Sequence, residues 1–142
     1  MARYDVLIVD DEKDFREIML KHLAHRDLHC DSAKDGATAL KMIKDRIYDV
    51  VLLDVKMPGM DGIETLRELK KIAPMTEVIM LTGHASIDSG ISGIKYGAFD
   101  YLMKPMGIEP LVEKLDAAYE RKRTQQKKIE MAQIKKDMVR PS

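Results

Sequence analysis

Side chains that could bind a cation or a phosphoryl group follow four of the apolar runs in this 142-residue sequence. Carboxylates follow the first and third runs, a threonine closes the fourth, and a lysine follows the fifth. These side chains are Asp10, Asp11, Glu12, Asp54, Thr82 and Lys104. Any one of them is common at the end of a strand, where Asp often caps the next helix. Their recurrence after successive runs indicates a shared site.

Neighbouring carboxylates repel one another, and each is driven toward protonation unless a cation compensates the charge. A hard divalent cation resolves this conflict, and Mg²⁺ suits a site with one or two carboxylates and several waters. Such a cation also neutralises a phosphoryl group in transfer, while a lysine binds its oxygens. A carboxylate can act as the nucleophile and form an aspartyl-phosphate. The residues alone do not distinguish Asp54 from Asp10 or Asp11 in that role.

The elements that must position these side chains alternate between strand and helix. Short apolar runs predict five strands, at Asp5–Val9, His29–Ala33, Val50–Leu53, Val78–Leu81 and Tyr101–Met103. Continuous aliphatic runs are typical of parallel strands buried on both faces, whereas the polar second run indicates an edge strand. Helix-like segments between the runs complete βαβ units with right-handed crossovers. The sequence therefore predicts an open parallel α/β sheet with helices on both faces and ligands beyond the carboxyl ends of its strands.

Apolar residues three and four positions apart predict which side of each helix packs on the sheet. The predicted inward positions are Phe15, Ile18, Met19, Leu23, then Leu40, Ile43, Ile47, then Leu66, Leu69, Ala73, then Ile87, Ile91, Ile94, Ala98, and finally Leu111, Val112, Leu115. His22 follows the same spacing but is expected at a solvated surface. Gly90 and Gly93 lie inside the fourth helix, where each costs roughly 1 kcal/mol relative to Ala. Either this helix is poor but well packed, or it is kept loose so that it can move.

Opposite charges separate along the chain although its formal net charge is zero. Residues 1–119 carry 16 basic and 21 acidic side chains, a net charge of −5, and residues 120–142 carry 8 and 3, a net charge of +5. We therefore expect no direct nucleic-acid binding by the acidic body. Apolar runs stay well below the roughly 18 residues of a membrane span. Without a signal peptide, and with Cys30 as the single cysteine, the sequence predicts a cytoplasmic protein with no membrane partner.

Four segments resemble the bacterial response-regulator receiver domains of two-component systems. They are Val9–Glu12, Leu53–Gly62, Leu81–Gly83 and Gly97–Pro105, and the last is most similar to the receivers of enhancer-binding transcription activators. The resemblance covers the chain from about Tyr4 to about Tyr119. It implies a flavodoxin-like, doubly wound sheet of five parallel strands in the order 2-1-3-4-5. We expect a receiver domain over residues 1–120 and a basic helical extension or linker over 121–142.

The resemblance implies a role for each site residue in phosphorelay signal transduction. Asp54 would accept a phosphoryl group from a histidine kinase or a phosphotransfer protein, and Lys104 would pair with its oxygens. Thr82 and Tyr101 would be the switch residues that pass the change to the output face. The implied ligands of Mg²⁺ are Asp10, Asp11, Asp54 and the backbone carbonyl of Lys56, with Asp10 acting through a coordinated water.

Two further expectations concern residues at the edge of the predicted site. A cis peptide bond between Lys104 and Pro105 is expected from the resemblance, although few X–Pro bonds are cis. Lys56 and His84 each lie two residues beyond a site residue, and we expect them to flank the phosphate entrance and slow hydrolysis of the phosphorylated form. The alternative is that both side chains point into solvent and have no such effect.

Three functions compete for this set of residues. The first is a switch that is not an enzyme in the usual sense, because it catalyses only its own phosphorylation and slow dephosphorylation. A Mg²⁺-dependent phosphatase or phosphotransferase would need a substrate pocket and an Asp-x-Asp motif, but Val55 and Lys56 follow Asp54. A scaffold that is never phosphorylated would not need an intact acidic site. A stand-alone receiver and the N-terminal receiver fragment of a longer transcription regulator both fit the sequence.

Strong helix formers continue from Glu120 to about Met138, which predicts that the fifth helix extends several turns beyond the body. Met131, Ile134 and Met138 form a short apolar stripe on that extension. A polar helix of this length is marginal in isolation. We therefore expect a homodimer through the fourth helix, the fifth strand and the extended fifth helix. The alternative is a basic, frayed tail that contacts an acidic partner or leads to a further domain.

Overall fold

The computed structural model describes residues 3–83 and 86–139. Its elements alternate along the chain as β1 Asp5–Val9, α1 Lys13–Ala24, β2 His29–Ala33, α2 Gly36–Asp45, β3 Val50–Asp54, α3 Gly62–Ile72, β4 Glu77–Thr82, α4 Ile87–Lys95, β5 Asp100–Met103 and α5 Ile108–Met138. All neighbouring strands are parallel and stand in the order β2-β1-β3-β4-β5. The predicted α/β fold and strand order are confirmed. The predicted place of His84 lies outside the described residues.

Successive residues of the central strands face two separate cores, one on each side of the sheet. In β1, Leu7 and Val9 belong to the core beneath α2 and α3, while Val6 and Ile8 belong to the core beneath α1 and α5. This alternation follows from the two-residue period of a strand. It explains why β1, β3 and β4 need apolar residues at consecutive positions between their ends, whereas the edge strand β2 remains only partly buried.

Of the four residues predicted to face inward from the fourth helix, Ala98 is buried, but two others are not. Ile91 and Ile94 are 47% and 42% exposed, and Gly90 and Gly93 are the buried residues of this helix. A Cβ on Gly93 would lie 2.9 Å from Cγ of Met80 in β4, so the glycines let the helix backbone approach the sheet closely. The inward assignments of Ile18 and Ile47 are also wrong, because these side chains are 51% and 77% exposed.

The predicted extension of the fifth helix is confirmed, since α5 runs without interruption from Ile108 to Met138. Its buried residues are Leu111, Val112, Leu115, Ala118 and Lys122, and every described residue beyond Lys122 is exposed. Within the described part of the chain, no helix is both long enough and apolar enough to cross a bilayer.

A buried lysine fixes α5 to the end of the sheet that is remote from the strand carboxyl ends. Lys122 retains only 4% exposure, and its Nζ lies 2.6 Å from Oδ1 of Asp49. The other oxygen of Asp49 accepts a hydrogen bond from the backbone N–H of Asp5, and its backbone carbonyl accepts one from the N–H of Glu77. Asp49 therefore joins the beginnings of β1 and β4 to the first turn of the extension.

We predict that Lys122→Met lowers the free energy of unfolding by about 1–3 kcal/mol, because it leaves a largely buried carboxylate without its cation. Methionine retains most of the aliphatic part of the lysine side chain, so the loss of stability measures the contribution of the ammonium charge. Lys127→Met, on the exposed part of the same helix, serves as the control and changes the stability by less than about 0.5 kcal/mol. Urea unfolding of the two variants tests this, and equal stability would contradict the role of Lys122.

Candidate functional site

The predicted site residues meet at the carboxyl edge of the sheet. Asp10 follows β1, Asp54 ends β3, Thr82 ends β4, and Lys104 follows β5. Parallel pairing aligns these ends, with Asp54 opposite Leu81 and Thr82 opposite Met103. Four segments that are distant in sequence therefore deliver their polar side chains to one rim, as the strand pattern predicts.

Three carboxylates form the centre of this rim. One oxygen from each of Asp10, Asp11 and Asp54 lies within 4.8 Å of the others. Asp10 is fully buried, Asp54 is 9% exposed, and Asp11 is open to solvent. The site is thus acidic, and its outer member, Asp11, can be reached from solution.

Burial and charge repulsion act together on Asp54. Burial is the larger cause and the negative charge of Asp10 is the next; together they raise the pKa of Asp54 to about 6. The ammonium of Lys104 and a long backbone hydrogen bond, 3.4 Å from the N–H of Lys56 to Oδ1, only partly oppose this rise. The local cations therefore leave the ionised form of Asp54 under-compensated.

Lys104 is the cation that approaches the carboxylates most closely. Its Nζ lies 2.5 Å from Oδ2 of Asp10, 3.9 Å from Oδ2 of Asp54 and 3.7 Å from Oε1 of Glu12. Burial alone would lower the pKa of Lys104, but the hydrogen bond to Asp10 and the nearby carboxylates raise it. The peptide bond from Lys104 to Pro105 is cis, as predicted.

The donor set fits a hard divalent cation. Asp10, Asp11 and Asp54 supply only oxygen atoms, and one ammonium does not balance three carboxylates. A small ion such as Mg²⁺ prefers oxygen ligands and retains several waters, which the exposed position of Asp11 allows. These observations agree with the three predicted carboxylate ligands; the predicted contribution of the Lys56 carbonyl stays a prediction.

The loop after Asp54 is anchored by a glycine and a cap. A Cβ on Gly62 would lie 2.3 Å from the backbone oxygen of Asp54, so no larger residue fits where α3 begins. The N–H of Gly62 donates to the carbonyl of Val55, and the side chain of Asp61 accepts from the N–H of Glu64. The helix cap and the close approach together fix the backbone beside the acidic centre. Sequence reasoning missed this role of Gly62, although a glycine directly after an Asp cap was a visible signal.

The two predicted switch residues lie on either side of one glycine of α4. Thr82 is fully buried, and its Oγ1 donates to the carbonyl of Leu102 at 3.4 Å. A Cβ on Gly90 would lie 2.2 Å from Cγ2 of Thr82 and 3.5 Å from Cβ of Tyr101. Tyr101 is partly buried. The rim and α4 are therefore in contact at Gly90, which has no side chain.

Two further residues lie close to the acidic centre without having been predicted to act there. Arg16 donates from its guanidinium to the carbonyl of Asp10 at 2.8 Å, and the Phe15 ring lies beneath the Lys104 ammonium. Both belong to the first turns of α1. Phe15 was predicted only as a core residue, because its apolar character gives no indication of a contact with a cation.

Comparison with known proteins yields one consistent family. The family model for the response regulator receiver domain matches residues 6–116. The DNA-binding transcriptional regulator NtrC of Escherichia coli (strain K12) is 37% identical over 126 residues, which are 89% of this chain and 27% of NtrC. The chain therefore spans about a quarter of the length of the curated relatives it matches first.

Solved structures agree with this match. NtrX from Brucella abortus, crystallised with ADP, superposes with a TM-score of 0.87 at 33% identity over 92% of this chain and 30% of that one. A response regulator receiver domain protein from Clostridium thermocellum superposes with a TM-score of 0.83 at 34% identity, over 88% of this chain and 99% of that one. The similarity thus covers the whole sheet and both helical layers.

The packing of α4 on Thr82 predicts different tolerances at its two buried glycines. Gly90→Ala is expected to lower the free energy of unfolding by about 1–2 kcal/mol, because a clash with the rigid Thr82 outweighs the gain in helix propensity. Gly93→Ala is the matched control and stays within about 1 kcal/mol of the wild type, because the flexible Met80 side chain can move. Denaturant unfolding compares them, and equal stability of the two variants would contradict the assigned contact.

Proposed function

The chain belongs to the response regulator receiver domain family, and from that premise we propose that it is a phosphoacceptor switch in which Asp54 receives a phosphoryl group. The observation that carries this proposal is the convergence of Asp10, Asp11 and Asp54 within 4.8 Å, with Lys104 reaching both Asp10 and Asp54. A histidine kinase or a phosphotransfer protein would be the donor.

Asp54 is the best placed of the three carboxylates to be the nucleophile. Asp10 has no exposed surface, and its oxygens already accept from the N–H of Glu12 and from Lys104. Asp11 lies at the exposed outer side. Asp54 is near Lys104 yet retains a little exposure, so an incoming phosphoryl group can reach it. This supports the choice of Asp54 that the family resemblance implies.

The reaction is a single phosphoryl transfer. An oxygen of the Asp54 carboxylate attacks the donor phosphorus, and the bond from phosphorus to the donor nitrogen or oxygen breaks. The donor leaves with the bonding electron pair, and Asp54 becomes a mixed carboxylic–phosphoric anhydride. Lys104 would then pair with a phosphoryl oxygen. Hydrolysis reverses the state when water attacks phosphorus and the Asp54 carboxylate leaves.

Mg²⁺ would be held by Asp54 and Asp11, with Asp10 behind a coordinated water and the Lys56 carbonyl as a further ligand. When bound, the cation would neutralise the charge that develops on the phosphoryl oxygens. The residues of the chain supply the rest: Asp54 provides the attacking oxygen, Lys104 orients the phosphoryl group, and Gly62 keeps the adjoining loop close to β3.

Thr82 and Tyr101 would convert phosphorylation into a change of surface. The Thr82 hydroxyl lies at the carboxyl end of β4, on the strand next to the one that carries Asp54. If it moves to hydrogen-bond the phosphoryl group, the space beside Gly90 changes, and Tyr101 can turn inward. The exposed residues Ile91 and Ile94 of α4 would carry that change to a partner.

This function does not require a substrate pocket, so we do not propose an enzyme acting on external substrates. A phosphatase that acts on external substrates would need a segment covering the rim, whereas the described loops next to Asp54 are short. The chain's relatives include longer transcription regulators. We propose that this receiver acts as the regulated part of such a protein, in the cytoplasm.

We predict that Asp54→Asn abolishes incorporation of acid-labile phosphate from acetyl phosphate in the presence of Mg²⁺. The amide is nearly isosteric but cannot act as the anionic nucleophile. Because the pKa of Asp54 is raised from 3.8 to about 6, stability falls as the pH rises between these values and stays lower above them. Near neutral pH the uncharged amide should therefore leave the stability unchanged or raise it by up to about 2 kcal/mol. Asp35→Asn, at the cap of α2, is the control and remains phosphorylatable. Phosphorylation of the Asp54→Asn protein at the normal rate would refute the assignment.

We also propose self-association through the α5 extension together with α4 and β5. Met131, Ile134 and Met138 are 52%, 49% and 78% exposed, and they share one side of a helix whose neighbouring turns are solvated. A second copy would cover this stripe. Lysines beside the stripe, including Lys127 and Lys128, would repel their counterparts if two α5 helices packed in parallel. Apolar contact between the two stripes must therefore supply the attraction.

We expect Ile134→Gln to weaken dimerisation at least about tenfold, because each dimer would lose two buried apolar side chains. Ile129→Gln is the matched control: Ile129 is also exposed, at 58%, but lies on the opposite side of the helix. Sedimentation at micromolar concentration, with and without phosphorylation, gives the dissociation constants. A monomer in both states, unchanged on deletion of residues 124–142, would rule the dimer out and leave the basic tail as a contact for another partner.

A further inference from the structure

The Lys104 ammonium rests on an aromatic ring. Its Nζ lies 4.2 Å from the centroid of Phe15, in the first turn of α1. Six pairs of a cation and a ring occur among the described residues, and the other five involve arginine at 5.0–5.9 Å. The pair at the rim is thus the shortest, and its cation is the one that the proposed phosphoryl transfer needs.

Phe15 is not an ordinary core residue. It is half-buried at the border of the core beneath α1 and α5, and one face of its ring lies beneath the Lys104 ammonium. The Lys104 side chain retains 20% exposure. An aliphatic residue at position 15 would fill the same border but would offer no negative ring face to an ammonium.

The charges around Lys104 pull it in different directions. Asp10 holds it at 2.5 Å and Glu12 attracts it at 3.7 Å, whereas Asp54 is 3.9 Å away. When a phosphoryl group arrives on Asp54, the ammonium must leave Asp10 and turn toward the new oxygens. A point charge such as Asp10 opposes that movement, but a ring face attracts a cation over an area and without a formal charge.

We propose that Phe15 is a positioning residue for Lys104, whose ring keeps the ammonium at the rim while it moves from Asp10 to the phosphoryl group on Asp54. The inference rests on the proposed function. The ring contributes most in the state in which Lys104 has left Asp10, so its effect falls on the transfer step and not only on the resting protein. Phe15 itself touches neither the donor nor the acceptor oxygen in this scheme.

Two substitutions at position 15 separate the ring face from simple packing. Phe15→Leu keeps an apolar side chain and removes the face, and Phe15→Tyr keeps the face. Phe99→Leu is the matched control, because the centroid of the Phe99 ring lies 5.2 Å from the guanidinium carbon of Arg121, at the start of β5 and not at the end that leads to Lys104. The full chain is used throughout, with acetyl phosphate and Mg²⁺ as the reagents.

The first measurement is the rate of phosphorylation of Asp54. We expect Phe15→Leu to lower it about three- to tenfold, as the loss of a partly buried cation–π contact implies. Phe15→Tyr and Phe99→Leu are expected to stay within about twofold of the wild type. A normal rate for Phe15→Leu, or an equal loss in Phe15→Tyr, would overturn the proposal in favour of a packing role or none.

The second measurement does not depend on phosphorylation. The ring current of Phe15 shifts the NMR signals of the Lys104 ε-methylene protons, and this shift should vanish in Phe15→Leu and persist in Phe15→Tyr. Signals that do not respond to Phe15→Leu would show that the ring does not hold the ammonium and would overturn the inference. If the wild type takes up no phosphoryl group, the proposed function fails, and the NMR result still decides whether the ring holds Lys104.

Discussion

Repulsion among the carboxylates at the ends of β1 and β3 is the constraint on which the rest of the rim depends. Asp10 is fully buried, and a buried charge without a partner is costly. Its partner, Lys104, comes from the end of β5, at the far edge of the sheet, so β4 and β5 must lie beside β3 before the rim can form. One ammonium for three carboxylates then leaves surplus negative charge, which suits the site to a divalent cation.

The opposite end of the sheet resolves a similar problem in the opposite way. There Asp49 and Glu77 stand at the beginnings of β3 and β4, and each has its own cation: Lys122 lies 2.6 Å from Asp49, and Arg121 lies 2.5 Å from Glu77. Lys70 adds a further contact, 3.7 Å from Glu77. The buried Oε2 of Glu77 is held by this ion pair with Arg121 and accepts no hydrogen bond. Charges at this end are neutralised permanently and stabilise the fold, whereas those at the rim remain open to a ligand.

The sequence predicted the sheet and the rim well, because both follow from local patterns. Continuous aliphatic runs mark the buried strands, and parallel topology then brings Asp10, Asp54, Thr82 and Lys104 together without any knowledge of side-chain geometry. The orientation of α4 could not be obtained in this way. The spacing of apolar residues predicts that the large side chains of this helix face inward. In the structure its backbone lies so close to Thr82 and Met80 that the positions facing them are glycines. The contact between Phe15 and Lys104 was also out of reach, since it joins residues 89 positions apart that share no charge pattern.

The unexpected orientation of α4 has a mechanical consequence. Gly90 lies against Thr82 while Ile91 and Ile94 stay exposed, so the contact with the rim and the exposed apolar residues belong to one short helix. A close-packed contact has no slack, and a displacement of Thr82 cannot be absorbed by a side chain at position 90, because there is none. The helix must either follow Thr82 or lose its contact. If Thr82 moves as proposed and the helix follows it, Ile91 and Ile94 move with the helix backbone, and the absence of a side chain at Gly90 would couple the rim to the surface.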